Sequence, residues 1–363
     1  MKKIAGVKDL GIVLSPDKMD GKMYKYDGGG IRDIVVKQEV AGERKGWYYL
    51  FYDGAKPGKT PTSYWTICCA RSLDLLNWEK VGPSIFASAI THPESNKDTY
   101  KDFCGVCSPW DFYADGKWHR FYLGADACNE EGVPSPHYYT LYAQGDTLEG
   151  PWKKRCEEEG GNKHICFPTS PEGAWDDLTV SPGEVLINPK WEKDKENQKK
   201  YLMIYSGSCG KGTVVGKRSL GIARTNDLTI ADDYDKETGN FWEKDKNPII
   251  PPEHDVENST VYFEEETGTY YVFTNHIYGN AYTDAVWVYW TKDLDCWDPE
   301  NKALVFDGTM GNWANGAIGF PSVIKKDNKT LYMFYDAVNG DGVGHLDRHI
   351  GVCEIALPIK TRD

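Results

Sequence analysis

Carboxylates recur inside short, otherwise apolar stretches of this 363-residue chain. Asp33 follows Arg32 in Ile31-Arg-Asp-Ile-Val-Val36, and Asp111 follows Trp110 in Ser108-Pro-Trp-Asp-Phe-Tyr113. Glu184 lies in Val180-Ser-Pro-Gly-Glu-Val-Leu-Ile187, with Asp176 and Asp177 just upstream, and Glu257 lies in Val256-Glu-Asn-Ser-Thr-Val-Tyr-Phe263. A fifth stretch, Gly319-Phe-Pro-Ser-Val-Ile324, offers Phe320 and Pro321 and no acid. An ionised carboxylate in an apolar strand is costly to desolvate unless it is paired or employed. Two acids around one pocket are what acetal hydrolysis requires: one protonates the leaving oxygen, and the other activates water or attacks the anomeric carbon. The 13 Trp and 23 Tyr add flat faces for stacking against sugar rings.

These stretches belong to a repeat. Each precedes an aromatic strand: Trp47-Tyr-Tyr-Leu-Phe-Tyr-Asp-Gly54, His119-Arg-Phe-Tyr-Leu-Gly124, Lys200-Tyr-Leu-Met-Ile-Tyr-Ser-Gly207, Thr269-Tyr-Tyr-Val-Phe-Thr274 and Thr330-Leu-Tyr-Met-Phe-Tyr-Asp336. A third, alternating strand follows each, and a polar turn with an aromatic introduces a fourth, as in Ser72-Leu-Asp-Leu-Leu-Asn-Trp78. A unit of three or four strands returning at roughly 60 to 80 residues is a propeller blade, and five of them make a radial array of antiparallel sheets. The expected fold is an all-β, five-bladed β-propeller in a single domain, 1–363, with blades near 31–95, 103–172, 179–248, 256–310 and 317–358. The last blade lacks room for its outer strand, so residues 4–15 are expected to supply it and close the ring, protecting the sheet edge.

Composition excludes other classes. Lys+Arg 42 against Asp+Glu 55 leaves a formal charge of −13 without a basic stretch, which argues against nucleic acid as a partner. No run of about 18 apolar residues is present, so no membrane span is expected. The apolar Ile4-Ala-Gly-Val7 is cut short by Lys8 and Asp9, too short for the h-region of about 7–15 residues in a signal peptide. A cytoplasmic protein is expected, unless a leader has been removed. The ten cysteines are scattered, with Cys104-Gly-Val-Cys107 the one CxxC, and read as buried free thiols rather than a zinc or redox site.

The five blades, Arg32-Asp33, Ser108-Pro-Trp-Asp111 and Val256-Glu-Asn-Ser-Thr260 together resemble the five-bladed propeller glycosidases, above all family 43 glycoside hydrolases, with families 32, 68 and 117 related. The resemblance implies that Asp33 is the general base or nucleophile and Glu257 the general acid. A third acid on blade three would tune the acid's pKa. Ser181-Pro-Gly-Glu184 stands where the family has Asp-Pro, so Glu184, or Trp175-Asp-Asp177, must fill that role. Arg32, Trp110, Asp111, Asp177, His276 and Arg348 are expected to contact substrate. Asp111 resembles a substrate-binding Asp of arabinan-degrading relatives, and Arg348 the fifth-blade arginine that reaches sugar hydroxyls. His276 is placed to touch substrate or replace the acid, as a histidine does in family 117.

The expected activity is hydrolysis of a terminal furanoside or xyloside from a plant- or microbe-derived oligosaccharide. Carboxyls ~6.5–9.5 Å apart invert and those ~5–5.5 Å apart retain; the family 43 resemblance implies inversion. A fructan-type retaining enzyme and a catalytically silent sugar-binding propeller are the alternatives. No cofactor or obligatory metal is expected, although some relatives carry a calcium in the central channel.

Overall fold

The structure is a computed structural model; it describes all residues except 20, 58–64, 97, 127–137, 156–164, 212–215, 230–241, 277–284, 343 and 363. Five antiparallel sheets follow one another along the chain. Blade one comprises Ile31–Gln38, Tyr48–Ala55, Trp65–Ser72 and Glu79–Ile85. Blade two comprises Gly105–Ala114, Lys117–Ala125, Tyr138–Gly145 and Lys153–Lys154. In blade three the inner strand is split into Thr179–Ser181 and Val185–Ile187, followed by Tyr201–Ser208, Arg218–Thr225 and Glu243–Lys244. Blade four runs through Val256–Glu264, Thr269–His276, Ala285–Thr291 and Lys302–Asp307, and blade five through Ile318–Asp327, Thr330–Val338 and Arg348–Ala356.

Val7–Leu14 pairs antiparallel with Arg348–Ala356 and completes blade five, as the sequence requires. The chain ends also lengthen blade four, a feature the repeat does not foretell. Lys3–Ile4 pairs in parallel with the blade-four outer strand and antiparallel with Thr361–Arg362. Among the described residues no helix is long and apolar enough to cross a membrane.

The aromatic second strands are buried along nearly their whole length because both faces pack against neighbouring blades. The core is accordingly a set of inter-blade layers. Leu50, Tyr52, Phe334 and Val352 join blades one and five, whereas Phe273, Val288, Met333 and Tyr335 join four and five.

A polar staple repeats within these layers. Tyr52, Tyr122 and Tyr205 occupy the same place on three second strands, and their hydroxyls donate to Asp27, Asp102 and Asp176 at 3.0, 3.2 and 2.9 Å. Lys80, Lys154 and Lys244, from the fourth strands, reach the same aspartates at 2.6, 3.1 and 2.8 Å. In blade five Tyr335 donates to Asp9 of the closing strand at 2.8 Å. Each buried carboxylate thus meets a cation or several donors, which offsets its desolvation.

One device shapes the inner strands. The ladder slips between Arg32 and Val35, Cys107 and Trp110, Glu257 and Thr260, and Gly319 and Ser322. At each bulge a non-glycine residue is left-handed: Asp33 (φ 50), Ser108 (φ 49), Asn258 (φ 59) and Phe320 (φ 36). A bulge re-aims its residue out of the strand, and left-handed backbone at such a residue is stored strain of order 1–3 kcal/mol. The bulged N–H groups leave their own ladders for the blade before: Ser108 donates to Asp53, Asn258 to Ser206, and Asp33 to Asp336, at 2.9, 2.9 and 2.8 Å. In blade three the corresponding residue is Pro182, which has no N–H and whose ring excludes positive φ, so that strand breaks instead.

Candidate functional site

Asp33 owes its position to its bulge. Its Oδ2 accepts the Ser108 hydroxyl at 2.9 Å and lies 3.4 Å from Arg32 Nη2, and its side chain retains 15% exposure. Arg32 stacks over Trp65 at 4.5 Å and donates from Nη1 to His345 Nδ1 at 2.8 Å. Two further carboxyls border this group. Asp53, opposite Arg32 on the second strand, is fully buried, and Asp336, opposite Gly319 in blade five, is 1% exposed. Burial raises the pKa of both, and the Asp33 charge adds to each, while Arg32 and Arg348 respectively pull them down.

Arg348 therefore works inward. It pairs with Asp336 and donates from Nε to the Gly344 carbonyl at 2.8 Å, and it is 7% exposed. Gly319 makes room for it, since a Cβ there would lie 2.9 Å from both Arg348 Nη1 and Asp336 Oδ1. The guanidinium reaches the Asp33 cluster through Asp336 rather than projecting freely towards a ligand.

Glu257 stands in blade four at the register that Arg32 occupies in blade one. Its side chain is 32% exposed, and Oε2 accepts Arg218 Nε–H at 3.0 Å. Arg218 also binds the Thr179 hydroxyl, and its own N–H donates to Asp255 Oδ1 at 2.9 Å, so the arginine is fixed from blades three and four. Asp33 and Glu257 are thus two solvent-reaching carboxyls on separate blades, each oriented by an arginine.

Other expected site residues lie elsewhere. Glu184, displaced by the Pro182-Gly183 break, shares the buried register of Val35, Trp110, Thr260 and Ser322. It pairs with Lys37 from blade one and accepts the Thr260 hydroxyl at 3.3 Å. Asp176 is the blade-three staple, and Asp177 accepts the Gly173 and Gly210 N–H groups at 2.6 and 2.7 Å, which lowers its pKa. None of these three has Asp33 or Glu257 among its hydrogen-bond or ion-pair partners.

Asp111 is a correction of substance. It forms a two-pronged pair with Arg120 at 2.7 and 2.8 Å, both side chains are 0% exposed, and Arg120 lies between Phe51 and Trp152 at 3.9 and 3.8 Å. Its alternation along the strand points it between blades one and two. Trp110 is likewise core, 2% exposed and stacked on Phe320 at 5.6 Å. His276 ends its strand opposite Val256, and its side chain lies outside the described residues.

The cysteine reading also changes. Cys104 is disulfide-bonded, with its partner outside the described residues, whereas Cys68, Cys69, Cys107, Cys166 and Cys353 are buried free thiols. For a channel calcium, the donor set does not fit. The Glu184 carboxylate already carries the Lys37 ammonium, which repels a second cation at the same oxygens.

Asp53, Asp336 and Arg218 escaped the sequence reading. Asp53 and Asp336 each follow Phe-Tyr in second strands that repeat plainly, Phe51-Tyr-Asp53 and Phe334-Tyr-Asp336, so their shared position was visible.

No family model and no curated protein matches the chain. Solved structures do. A family 117 glycoside hydrolase from the marine bacterium Zobellia galactanivorans superposes with a TM-score of 0.62 at 14% identity, over 99% of this chain and 92% of its own. The GH43_1 enzyme from Xanthomonas citri, solved with xylose, gives 0.53 at 13% identity over 94% and 89%. The catalytic domain of a Coprinopsis cinerea GH62 α-L-arabinofuranosidase gives 0.53 at 11% over 96% of each chain. At these identities the likeness is one of fold: this chain is a five-bladed β-propeller of the kind on which these glycoside hydrolases are built.

Proposed function

We propose that the protein is a glycoside hydrolase that releases a terminal furanoside or xyloside unit from an oligosaccharide by two-carboxylate catalysis. The observation that carries this reading is the pair Asp33 and Glu257: two partly exposed carboxyls on blades one and four, each held by an arginine. The fold neighbours support it, because three of them are glycoside hydrolases of separate families.

In this reading Asp33, ionised beside Arg32 and Ser108, takes the proton of an attacking water. Glu257 delivers a proton to the leaving oxygen once substrate displaces its contact with Arg218. Inversion is the proposed outcome. Arg32 and His345, at the edge of the Asp33 cluster, are the polar groups placed to bind sugar hydroxyls. The Cys104 disulfide supports an oxidising compartment over the reducing cytoplasm.

A second reading, a catalytically silent sugar-binding propeller, is favoured by one observation: the blade-three acid Glu184 is committed to Lys37. A panel of aryl furanosides and pyranosides, with sucrose and short fructans, separates the two when run on wild type and Asp33→Asn. Release of one sugar by wild type alone supports hydrolysis, and the first anomer seen by NMR reports inversion or retention. Binding without release across the panel supports the silent propeller.

A further inference from the structure

We propose that Asp53 is a positioning residue for Asp33, standing beside it as a neutral carboxylic acid so that the two carboxyls hold one proton between them. The proposal rests on the reading of Asp33 as the base.

The geometry of Asp53 leaves one oxygen unserved. Oδ1 accepts the Ser108 N–H at 2.9 Å, but Oδ2 is buried and has no hydrogen-bond partner among the described residues. Ser108 bridges the two carboxyls, its N–H on Asp53 Oδ1 and its hydroxyl on Asp33 Oδ2, each at 2.9 Å, and Asp53 stands opposite Arg32, the residue before Asp33, in the ladder. Two carboxylates bridged by one serine in a buried setting leave lone pairs without donors, the arrangement that makes paired acids share a proton. A proton on Oδ2 removes the conflict, because the resulting O–H donates to Asp33.

Among the described residues the surroundings offer no other remedy. The groups facing Asp53 are Arg32 and Asp33 from the inner strand, Cys68 from the third strand, and Cys107 and Tyr138 from blade two. Burial pushes both thiols and the phenol upward, so they stay neutral at ordinary pH. Arg32 is the one cation in that set, and it already serves Asp33 and His345. Burial, followed by the Asp33 charge, likewise favours the protonated Asp53. With it, Asp33 is oriented by Arg32, the Ser108 hydroxyl and the Asp53 hydroxyl.

Asp53→Asn is the informative variant, since an amide oxygen still accepts from Ser108 and an amide N–H still donates to Asp33, though more weakly than an acid. Infrared spectroscopy of wild type at neutral pH is expected to show a protonated-carboxyl band that Asp53→Asn removes. Folding stability gives a second reading. A carboxyl that keeps its proton when folded and loses it near 3.9 when unfolded costs stability as pH rises, so the denaturation midpoint of Asp53→Asn gains on wild type as pH rises above about 4.

The acid limb of kcat/KM is expected to move to higher pH in the variant, because the weaker donor stabilises the Asp33 carboxylate less. Absence of the band, or a stability difference that does not vary with pH, overturns the proposal. If Asp53→Asn does not fold, Asp33→Asn replaces it: the wild-type band must shift when its acceptor changes, and an unshifted band is contrary evidence. The infrared and stability results need no turnover, so they decide where the proton sits even if the panel of glycosides shows no hydrolysis.

Discussion

The backbone N–H of Asp33 donates to Oδ2 of Asp336 at 2.8 Å, across the seam where the first blade meets the last. The residue placed in the base's role is therefore fixed by ring closure itself. Asp336 accepts that bond from within the core, and Arg348 neutralises it. Closure of the propeller by Val7–Leu14 and orientation of the site are in this sense coupled, since both depend on blade five standing in register with its neighbours.

Arg348→Met tests that coupling. It leaves the Asp336 carboxyl buried without its cation, a loss of about 3–5 kcal/mol in stability for a broken buried pair. Urea unfolding should show it, and turnover of the folded fraction should fall as well, because the acceptor of the Asp33 N–H is no longer held. A stable variant with altered KM alone would instead return Arg348 to direct contact with the sugar.

Asp33→Asn and Glu257→Gln should each reduce kcat by at least about 10²-fold, the usual scale for a lost proton-transfer group. Circular dichroism and melting temperature should stay near wild type, because both side chains reach solvent. Arg218→Gln is expected to reduce kcat less than Glu257→Gln, since it disturbs the position of the acid and not its chemistry.

Much of this architecture was legible in the sequence, for a physical reason. A propeller repeats one burial pattern five times, so the aromatic second strands announce the blades, and the missing outer strand of blade five announces its partner. Asp33 and Glu257 stand out in the sequence because a carboxylate in an apolar inner strand is conspicuous, and the structure leaves both side chains partly exposed. The same rule misled at Asp111 and Glu184, where the cost of burial is met by Arg120 and Lys37, partners far away in sequence. The Tyr–Asp–Lys staples were missed for the same reason: each joins a connection, a second strand and a fourth strand that only folding brings together.

Asp111 and Arg120 offer a direct comparison with the site. Arg120→Met strands a fully buried carboxylate and should cost about 3–5 kcal/mol in stability, measured by denaturant titration. The fraction that folds should keep the wild-type KM, because the pair lies between blades one and two. A raised KM at full stability would restore Asp111 to the ligand site.

His345 should be neutral in the folded protein down to unusually low pH. Desolvation where the ring meets Arg32, with the Arg32 and Arg348 guanidiniums beside it, presses its imidazole down to about 4, although the residue as a whole stays exposed. Arginine only donates, so Nδ1 accepts from Arg32 and the ring proton resides on Nε2, free to donate to a ligand. Between about pH 4 and 6.5 the unfolded chain binds a proton here that the folded one does not, so stability falls as pH drops through that window. His345→Gln should flatten this part of the pH–stability curve, and NMR titration of the ring should find no protonation step near 6.5 in the wild type.

The channel pair gives the prediction on metals. Lys37 brings an ammonium to Glu184 at the register where the inner strands converge, so the carboxylate needs no external cation. A chelator should leave the wild-type melting temperature unchanged, and added calcium should not raise it. Lys37→Met strands the carboxylate: melting temperature should fall, and millimolar calcium should recover part of the loss if the vacated channel now accepts an ion, because a ligand that binds only the folded state stabilises it. A chelator-induced fall in the wild type would mean that Lys37 does not serve as the resident cation, and that Glu184 is free to bind a metal after all.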